Sequence, residues 1–145
     1  METLSREARG LGMPWEEAYG YAQAVRVGDT IYVSGQLSHD DAGTLVSPAS
    51  LGARGEIVDH SGMEAQMRQA YRNAAKVLEL FGATLQHVVE EVLYVTDMDA
   101  AFAAAGPVRK EAYGSAVPAV ASTILTTSRL AFPAQLVEIR LTARV

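Results

Sequence analysis

Residues 21–36 read YAQAVRVGDTIYVSGQ, and this stretch decides the fold. Tyr21 to Val27 alternates loosely between polar and apolar residues, whereas Thr30 to Ser34 is rich in β-branched and aromatic residues. Gly28-Asp29 lies between the two runs, and such a pair is typical of the tight turn that joins antiparallel strands. We therefore predict a β-hairpin here, followed by a long polar loop from Leu37 to Gly55.

A long amphipathic helix is predicted after this loop. Apolar residues recur at spacings of three and four from Met63 to Phe81, which is the pattern of a helix with one buried face. Ser61 and Glu64 have the spacing of a capping box at its start. Gly82 follows the last apolar residue and can adopt the left-handed conformation that ends a helix.

A second helix is predicted over Ala100–Tyr113. The run Asp97-Met98-Asp99 precedes it and offers a carboxylate to cap its first turn. Pro107 lies in the middle of this segment and has no amide hydrogen to donate. We expect either a kink at this position or a new helix start with Pro107 in its first turn.

Three further strands complete the prediction, over Val88–Thr96, Ala119–Thr127 and Leu136–Arg144. The last one alternates strictly, with Val, Ile, Leu and Ala pointing inward between charged or polar residues. The resulting order is ββαβαββ, an α+β fold with one mixed sheet and two helices on one face. The other face is too apolar to remain wet, so we expect a second subunit to cover it.

Composition limits the possible functions. The chain has 145 residues, 49% of them hydrophobic, and no cysteine, which fits one domain in a reducing cytoplasm and excludes thiolate chemistry. Its net charge is −5 and its basic residues are scattered, which argues against nucleic-acid binding. No stretch has the length of a membrane span. His39, His60 and His87 lack metal-ligand spacing, and no motif indicates a cofactor, so we predict neither.

The hairpin residues, together with the closing run from Val137 to Val145, resemble the RidA/YjgF (reactive intermediate deaminase, Rid) family. The resemblance spans residues 18–145 as a single domain and leaves residues 1–17 as an N-terminal extension. It implies a chorismate-mutase-like trimeric barrel, a homotrimer with small-molecule clefts between neighbouring chains. Family members with deaminase activity hydrolyse imines or enamines derived from amino acids to keto acids and ammonia.

The same resemblance implies a set of site residues. Tyr21 matches a tyrosine whose ring lines the cleft, and Ser34 and Gly35 match a segment whose backbone approaches the ligand. Glu138 matches the glutamate that is proposed to orient the attacking water, and Thr123 lies in the strand that carries the family's signature. Three of them also have a structural interpretation: Tyr21 as a half-buried strand residue, Gly35 as a bulge or strand end, and Glu138 as a surface residue on the polar face of an alternating strand.

One family signature is not kept. Where the family has Pro-Ala-Arg-Ser/Thr, this chain reads Pro118-Ala119-Val120-Ala121-Ser122-Thr123, so Val120 or Ala121 takes the place of the arginine. Neither side chain can bind a carboxylate, whereas a guanidinium donates two charge-assisted hydrogen bonds to one. A family asparagine on the second helix also aligns with Gly106.

Two hypotheses follow for the function. In the first, the chain is a hydrolase of the imine or enamine deaminase type, whose substrate is not anchored by the usual arginine. In the second, the cleft binds a small metabolite without catalysis, as in a sensor or scavenger. Arg129 and Arg140 lie near Glu138 in the sequence, but the sequence does not place either of them in the cleft.

Overall fold

One mixed sheet of six strands organises the computed structural model, which describes all residues from 1 to 145. The strands are β1 (Glu7–Arg9), β2 (Ala24–Val27), β3 (Thr30–Gln36), β4 (Val88–Val95), β5 (Ala121–Thr126) and β6 (Val137–Arg144). Their order across the sheet is β1-β2-β3-β6-β4-β5. Only the β4–β5 pair is parallel. The predicted α+β fold with a mixed sheet is confirmed.

Three α-helices accompany the sheet: α1 (Pro14–Tyr19), α2 (Met63–Glu79) and α3 (Met98–Tyr113). A short 3-10 helix over Leu85–His87 precedes β4. The predicted order ββαβαββ is found from β2 to β6. The first seventeen residues add β1 at the sheet edge and most of α1, elements that the sequence did not predict.

Helix α2 has the predicted apolar stripe but not the predicted cap. Its N-cap is Gly62, so no side chain caps the first turn of the helix. The Ser61 hydroxyl instead donates to the Asp59 carboxylate at 3.0 Å, and the Ser61 amide donates to the same carboxylate at 2.9 Å. The capping-box prediction was therefore wrong, because Ser61 forms its hydrogen bonds with the Asp59 carboxylate and not with the helix. At the other end the helix stops at Glu79 with Leu80 as its C-cap, two residues before the predicted end, although Gly82 has the predicted left-handed conformation, with a φ of 70°.

Helix α3 begins two residues before the predicted start and is continuous through its proline. The Asp97 carboxylate accepts a hydrogen bond from the Ala100 amide at 2.8 Å, which confirms the predicted cap. The expected restart at Pro107 is not found. Because Pro107 has no amide hydrogen, the carbonyl of Ala103, four residues earlier, has no partner within the helix. Both residues are exposed, so water can bind that carbonyl.

The hydrophobic core lies between the sheet and the pair α2–α3 and contains 24 buried residues. Strand β6 alternates as predicted, since Val137, Ile139, Leu141 and Ala143 all belong to this core. Their neighbours along the strand point to the opposite face of the sheet. In the single chain no helix covers that side, and we call it the open face; Tyr32, for example, is 55% exposed there.

A buried carboxylate ties both long helices to the sheet. Glu91 on β4 is 0% exposed and accepts hydrogen bonds from the hydroxyls of Tyr71 on α2 at 2.7 Å and Tyr113 on α3 at 2.8 Å. Arg109 on α3 donates to it at 2.6 Å, and Ser122 on β5 at 2.8 Å. A buried charge is tolerated when it is paired and fully hydrogen-bonded, as it is here. The network also fixes which residues of β5 face the helices.

Candidate functional site

Glu138 lies half-buried on the open face, near the middle of the sheet. Strand β6 positions it opposite Tyr94 of β4. Its side chain extends directly over Gly35 of β3: a methyl group added at Gly35 would lie 2.6 Å from Cδ and 2.8 Å from Cγ of Glu138. Those distances are well below ordinary carbon–carbon contact of about 3.5–4.0 Å. Only glycine at this position leaves room for the carboxylate in this conformation.

An irregularity in β3 makes this close approach possible. The pairing between β3 and β6 shifts register between Val33 and Gln36, so Ser34 and Gly35 lie in a bulge. The Ser34 hydroxyl donates to the Ala22 carbonyl at 2.8 Å, which holds the bulge against the chain before β2. Ser34 therefore shapes the backbone next to Glu138, and its hydroxyl proton is already engaged in a hydrogen bond.

A pocket of about 320 Å³ opens above Gly35 and Glu138. We call it the Glu138 pocket; its other lining residues are Tyr94, Thr127, Leu130 and Arg140. Thr127 and Leu130 come from the loop between β5 and β6. The volume is at the lower end of the range for small-molecule sites.

Burial controls the protonation of the site. It raises the pKa of Glu138 above the usual glutamate range, and a polar interaction with the Gln135 side chain offsets only part of that rise. Tyr21 precedes β2, is 39% exposed and does not line the Glu138 pocket, so it is not the half-buried strand residue of the structural interpretation. Partial burial raises its pKa, and the nearby carboxylates of Glu16 and Glu138 raise it further. A tyrosine is neutral at neutral pH with or without this shift. The Tyr21 hydroxyl is thus a hydrogen-bond donor near a carboxylate that accepts a proton more readily than an exposed glutamate.

The structure separates the two positions that could replace the family arginine. Val120 packs against the hydrophobic core, on the helix side of the sheet. Ser122 also faces the helices, through its bond to Glu91. Ala121 and Thr123 alternate with these residues and so face the open side, where both are exposed. Of the two aligned positions, Ala121 is the one on the open face.

The two arginines near Glu138 in the sequence lie in different pockets. Arg140 lines the Glu138 pocket. Arg129 lines a separate pocket of about 410 Å³, together with Arg54 and His60. Residue spacing already indicates that Arg140 shares the strand face of Glu138, because residues two apart on a strand share a face, but it does not show that Arg140 reaches the pocket. Tyr94, Thr127 and Leu130 carried no signal in the sequence, since they reach the pocket only through sheet pairing and a loop.

The N-terminal segment packs against two loops of the domain through Trp15. The indole contacts the His39 ring edge-on, with centroids 5.1 Å apart, and the Phe132 ring at 5.8 Å. It thus joins the loop after β3 to the loop between β5 and β6. No group of three or more His, Cys, Asp or Glu side chains is arranged to hold a metal ion. None of the helices has the length and apolar character needed to cross a membrane.

The fold and the pocket define the class to which this protein belongs: small α+β proteins with two helices on one face of a mixed sheet and a carboxylate-bearing pocket on the other. Within that class, the family described as Endoribonuclease L-PSP has a sequence model that matches residues 15–145. The chain belongs to this family, which is also called the YjgF or Rid family, as the resemblance in the hairpin and last strand predicted.

Individual relatives agree with this assignment. A 2-iminobutanoate/2-iminopropanoate deaminase from Capra hircus is 34% identical over 102 residues, which cover 70% of this chain but only 65% of that protein. A RutC family protein from Pyrococcus abyssi is 32% identical over 99 residues, covering 68% of each chain. The crystal structure of a YjgF/YER057c/UK114 family member from Mycobacterium tuberculosis superposes with a TM-score of 0.76 at 29% identity, covering 97% of this chain and 100% of that one.

Proposed function

We propose that this chain is a hydrolase of the imine or enamine deaminase type, in which Glu138 manages the proton of the attacking water. The observation that carries the proposal is the half-buried Glu138 carboxylate, which lies against Gly35 in a pocket and has a raised pKa. A general base is most effective when its pKa lies close to the working pH. The deaminase names of several relatives support the same reaction class.

The proposed reaction converts a C=N compound and one water into a C=O compound and ammonia. Glu138 takes a proton from the water as the water oxygen bonds to the imine carbon, and it passes that proton to the nitrogen of the resulting tetrahedral carbinolamine. The nitrogen then takes up a second proton from solvent, and the C–N bond breaks with its electron pair leaving on ammonia. The hydroxyl releases its proton to Glu138 or solvent as the C=O bond forms. The Tyr21 hydroxyl, which is near Glu138, donates a hydrogen bond to the substrate nitrogen or oxygen in this scheme.

Assembly is part of the proposal. In the single chain the Glu138 pocket is open and large side chains such as Tyr32 and Leu125 are exposed on the same face. A homotrimer that packs these faces together would close the pocket and exclude water from the reacting carbon. Sedimentation velocity should therefore give the mass of three chains, and a stable single chain would contradict this part of the proposal.

A second candidate function rests on the alanine at position 121. Loss of the arginine from the open face of β5 removes the family's carboxylate anchor, and this favours a protein that binds a metabolite without converting it. The two candidates differ in one measurable respect, because only the first requires that ligand turnover depend on Glu138.

The experiment measures ammonia release from 2-iminobutanoate and 2-aminoacrylate, each generated in the presence of the purified protein. The wild type should accelerate release above the rate in buffer. Glu138→Gln should lower the rate by about 10²–10⁴-fold, the usual contribution of general acid–base catalysis. Glu79→Gln removes an exposed carboxylate on α2, away from the pocket, and is the matched control. No release by the wild type, or full release by Glu138→Gln, would refute the proposed mechanism.

A further inference from the structure

Arg140 is the cationic residue of the Glu138 pocket, and it has no partner within the chain. Its side chain is exposed and forms neither an ion pair nor a hydrogen bond. Arg144, four residues further along the same face of β6, differs in this respect because it pairs with Asp29. The guanidinium of Arg140 is thus free to bind an anion that enters the pocket.

Sheet register places Arg140 in the same row of the open face as Thr123 of β5, the strand that lacks the family arginine. Arg140 lies opposite Val92 on β4, and Thr123 on β5 lies opposite Val92 from the other side. Two strand spacings of about 4.8 Å separate Arg140 from Thr123. Ala121 faces the open side two residues before Thr123. Arg140 therefore shares the open face with Ala121, but it lies two strands away and in a row two residues further along.

We propose that Arg140 binds the carboxylate of the substrate and thereby restricts the enzyme to small anionic imines and their keto acids. The inference rests on the proposed function, because it concerns the ligand of the same pocket. Arg140 and Glu138 line one pocket without forming an ion pair, which leaves both charges available to a ligand. A 2-imino acid offers a carboxylate to the guanidinium and an adjacent electrophilic carbon to the water held by Glu138.

The chemistry of the two groups explains why they serve different parts of one substrate. A guanidinium stays charged at any working pH and donates two parallel hydrogen bonds to a carboxylate. Residues two apart on a strand are separated by about 7 Å, which is enough for a small acid to lie between their side chains. A neutral imine of the same shape would gain no binding affinity from Arg140. If Arg140 is the anchor, the protein should therefore bind the anionic compound more tightly than the neutral one.

Binding measurements test the anchor without requiring turnover. Calorimetry should show that the wild type binds 2-oxobutanoate at least about tenfold more tightly than its neutral isostere 2-oxobutanamide, as expected for a charge-assisted pair. Arg140→Met should abolish this preference while leaving amide binding unchanged, and Arg140→Lys should restore part of it. Arg144→Met is the matched control, since it removes a guanidinium from the same strand face outside the pocket, and it should keep the full preference.

Kinetics separate the failure of the anchor from the failure of the proposed function. Arg140→Met should raise the KM for 2-iminobutanoate by about tenfold or more, with a smaller effect on kcat. Turnover by the wild type with an unchanged KM in Arg140→Met would overturn the anchor and leave the deaminase proposal intact. The predicted binding preference without any turnover would support the anchor and overturn the deaminase proposal. Failure of the wild type to prefer 2-oxobutanoate over the amide would overturn the anchor outright.

Discussion

Replacing Gly35 by alanine should disable Glu138 without unfolding the protein. The new methyl would lie 2.6 Å from Cδ and 2.8 Å from Cγ of Glu138, so the carboxyl group must move by about 1 Å to restore normal contact. A displacement of that size can cost about 10²-fold in rate when a reacting group is misplaced. Gly35 does not have a positive φ, so alanine fits its backbone.

The expected effect on stability is small because two contributions oppose each other. Moving Glu138 off its rotamer costs about 0.5–1.5 kcal/mol. Replacing glycine by alanine reduces the conformational entropy of the unfolded chain, which stabilises the folded state by about 0.4–1 kcal/mol. The net change in the free energy of unfolding should therefore stay within about 1 kcal/mol, a shift in Tm of a few degrees for a domain of this size.

The assay compares kcat/KM for ammonia release with thermal unfolding of the same samples. Gly35→Ala should lose about 10²-fold in kcat/KM, and the double variant with Glu138→Gln should be no slower than Glu138→Gln alone, since both changes remove one group. Gly52→Ala is the control: its methyl would crowd the Glu56 carboxylate in a similar way, but outside the Glu138 pocket. Unchanged activity in Gly35→Ala would show that the position of the Glu138 carboxylate does not matter.

Three further predictions concern the ionised groups of the fold and the site. Arg109→Met leaves the buried Glu91 carboxylate with neutral donors only, so it should lower the free energy of unfolding, measured in urea, by about 2–4 kcal/mol. The control Arg68→Met breaks only surface ion pairs and should lower it by about 1 kcal/mol or less. Equal losses would contradict the role given to the buried network. The folded state raises the pKa of Glu138, so this residue lowers stability as pH rises through that pKa, and Glu138→Gln should be more stable than the wild type at neutral pH but not near pH 4. Parallel pH-stability curves for Glu138→Gln and the wild type would contradict the raised pKa of Glu138. The wild-type rate should rise with pH through an apparent pKa above that of an exposed glutamate.

Local patterns in the sequence predicted most of the fold. The Gly28-Asp29 turn, the apolar stripe of α2 and the alternation of β6 each need only neighbouring residues to be recognised, and the structure has all three. The predicted cap at Ser61 was wrong because the Asp59 carboxylate and the Glu64 amide were both possible partners of the Ser61 hydroxyl. The spacing of these residues in the sequence could not decide between them. Strand β1 was missed because three residues at a sheet edge carry no periodic signal.

The sequence by itself determined the family, the order of the elements from β2 to β6 and the absence of an arginine from β5. Only the tertiary structure decided how these facts combine at the site. A bulge brings the Glu138 carboxylate over Gly35, which lies about one hundred residues earlier, and sheet register brings Arg140 into the same pocket. The reason is physical: strand patterns are local, whereas a pocket is built from distant segments whose contacts depend on register, bulges and burial.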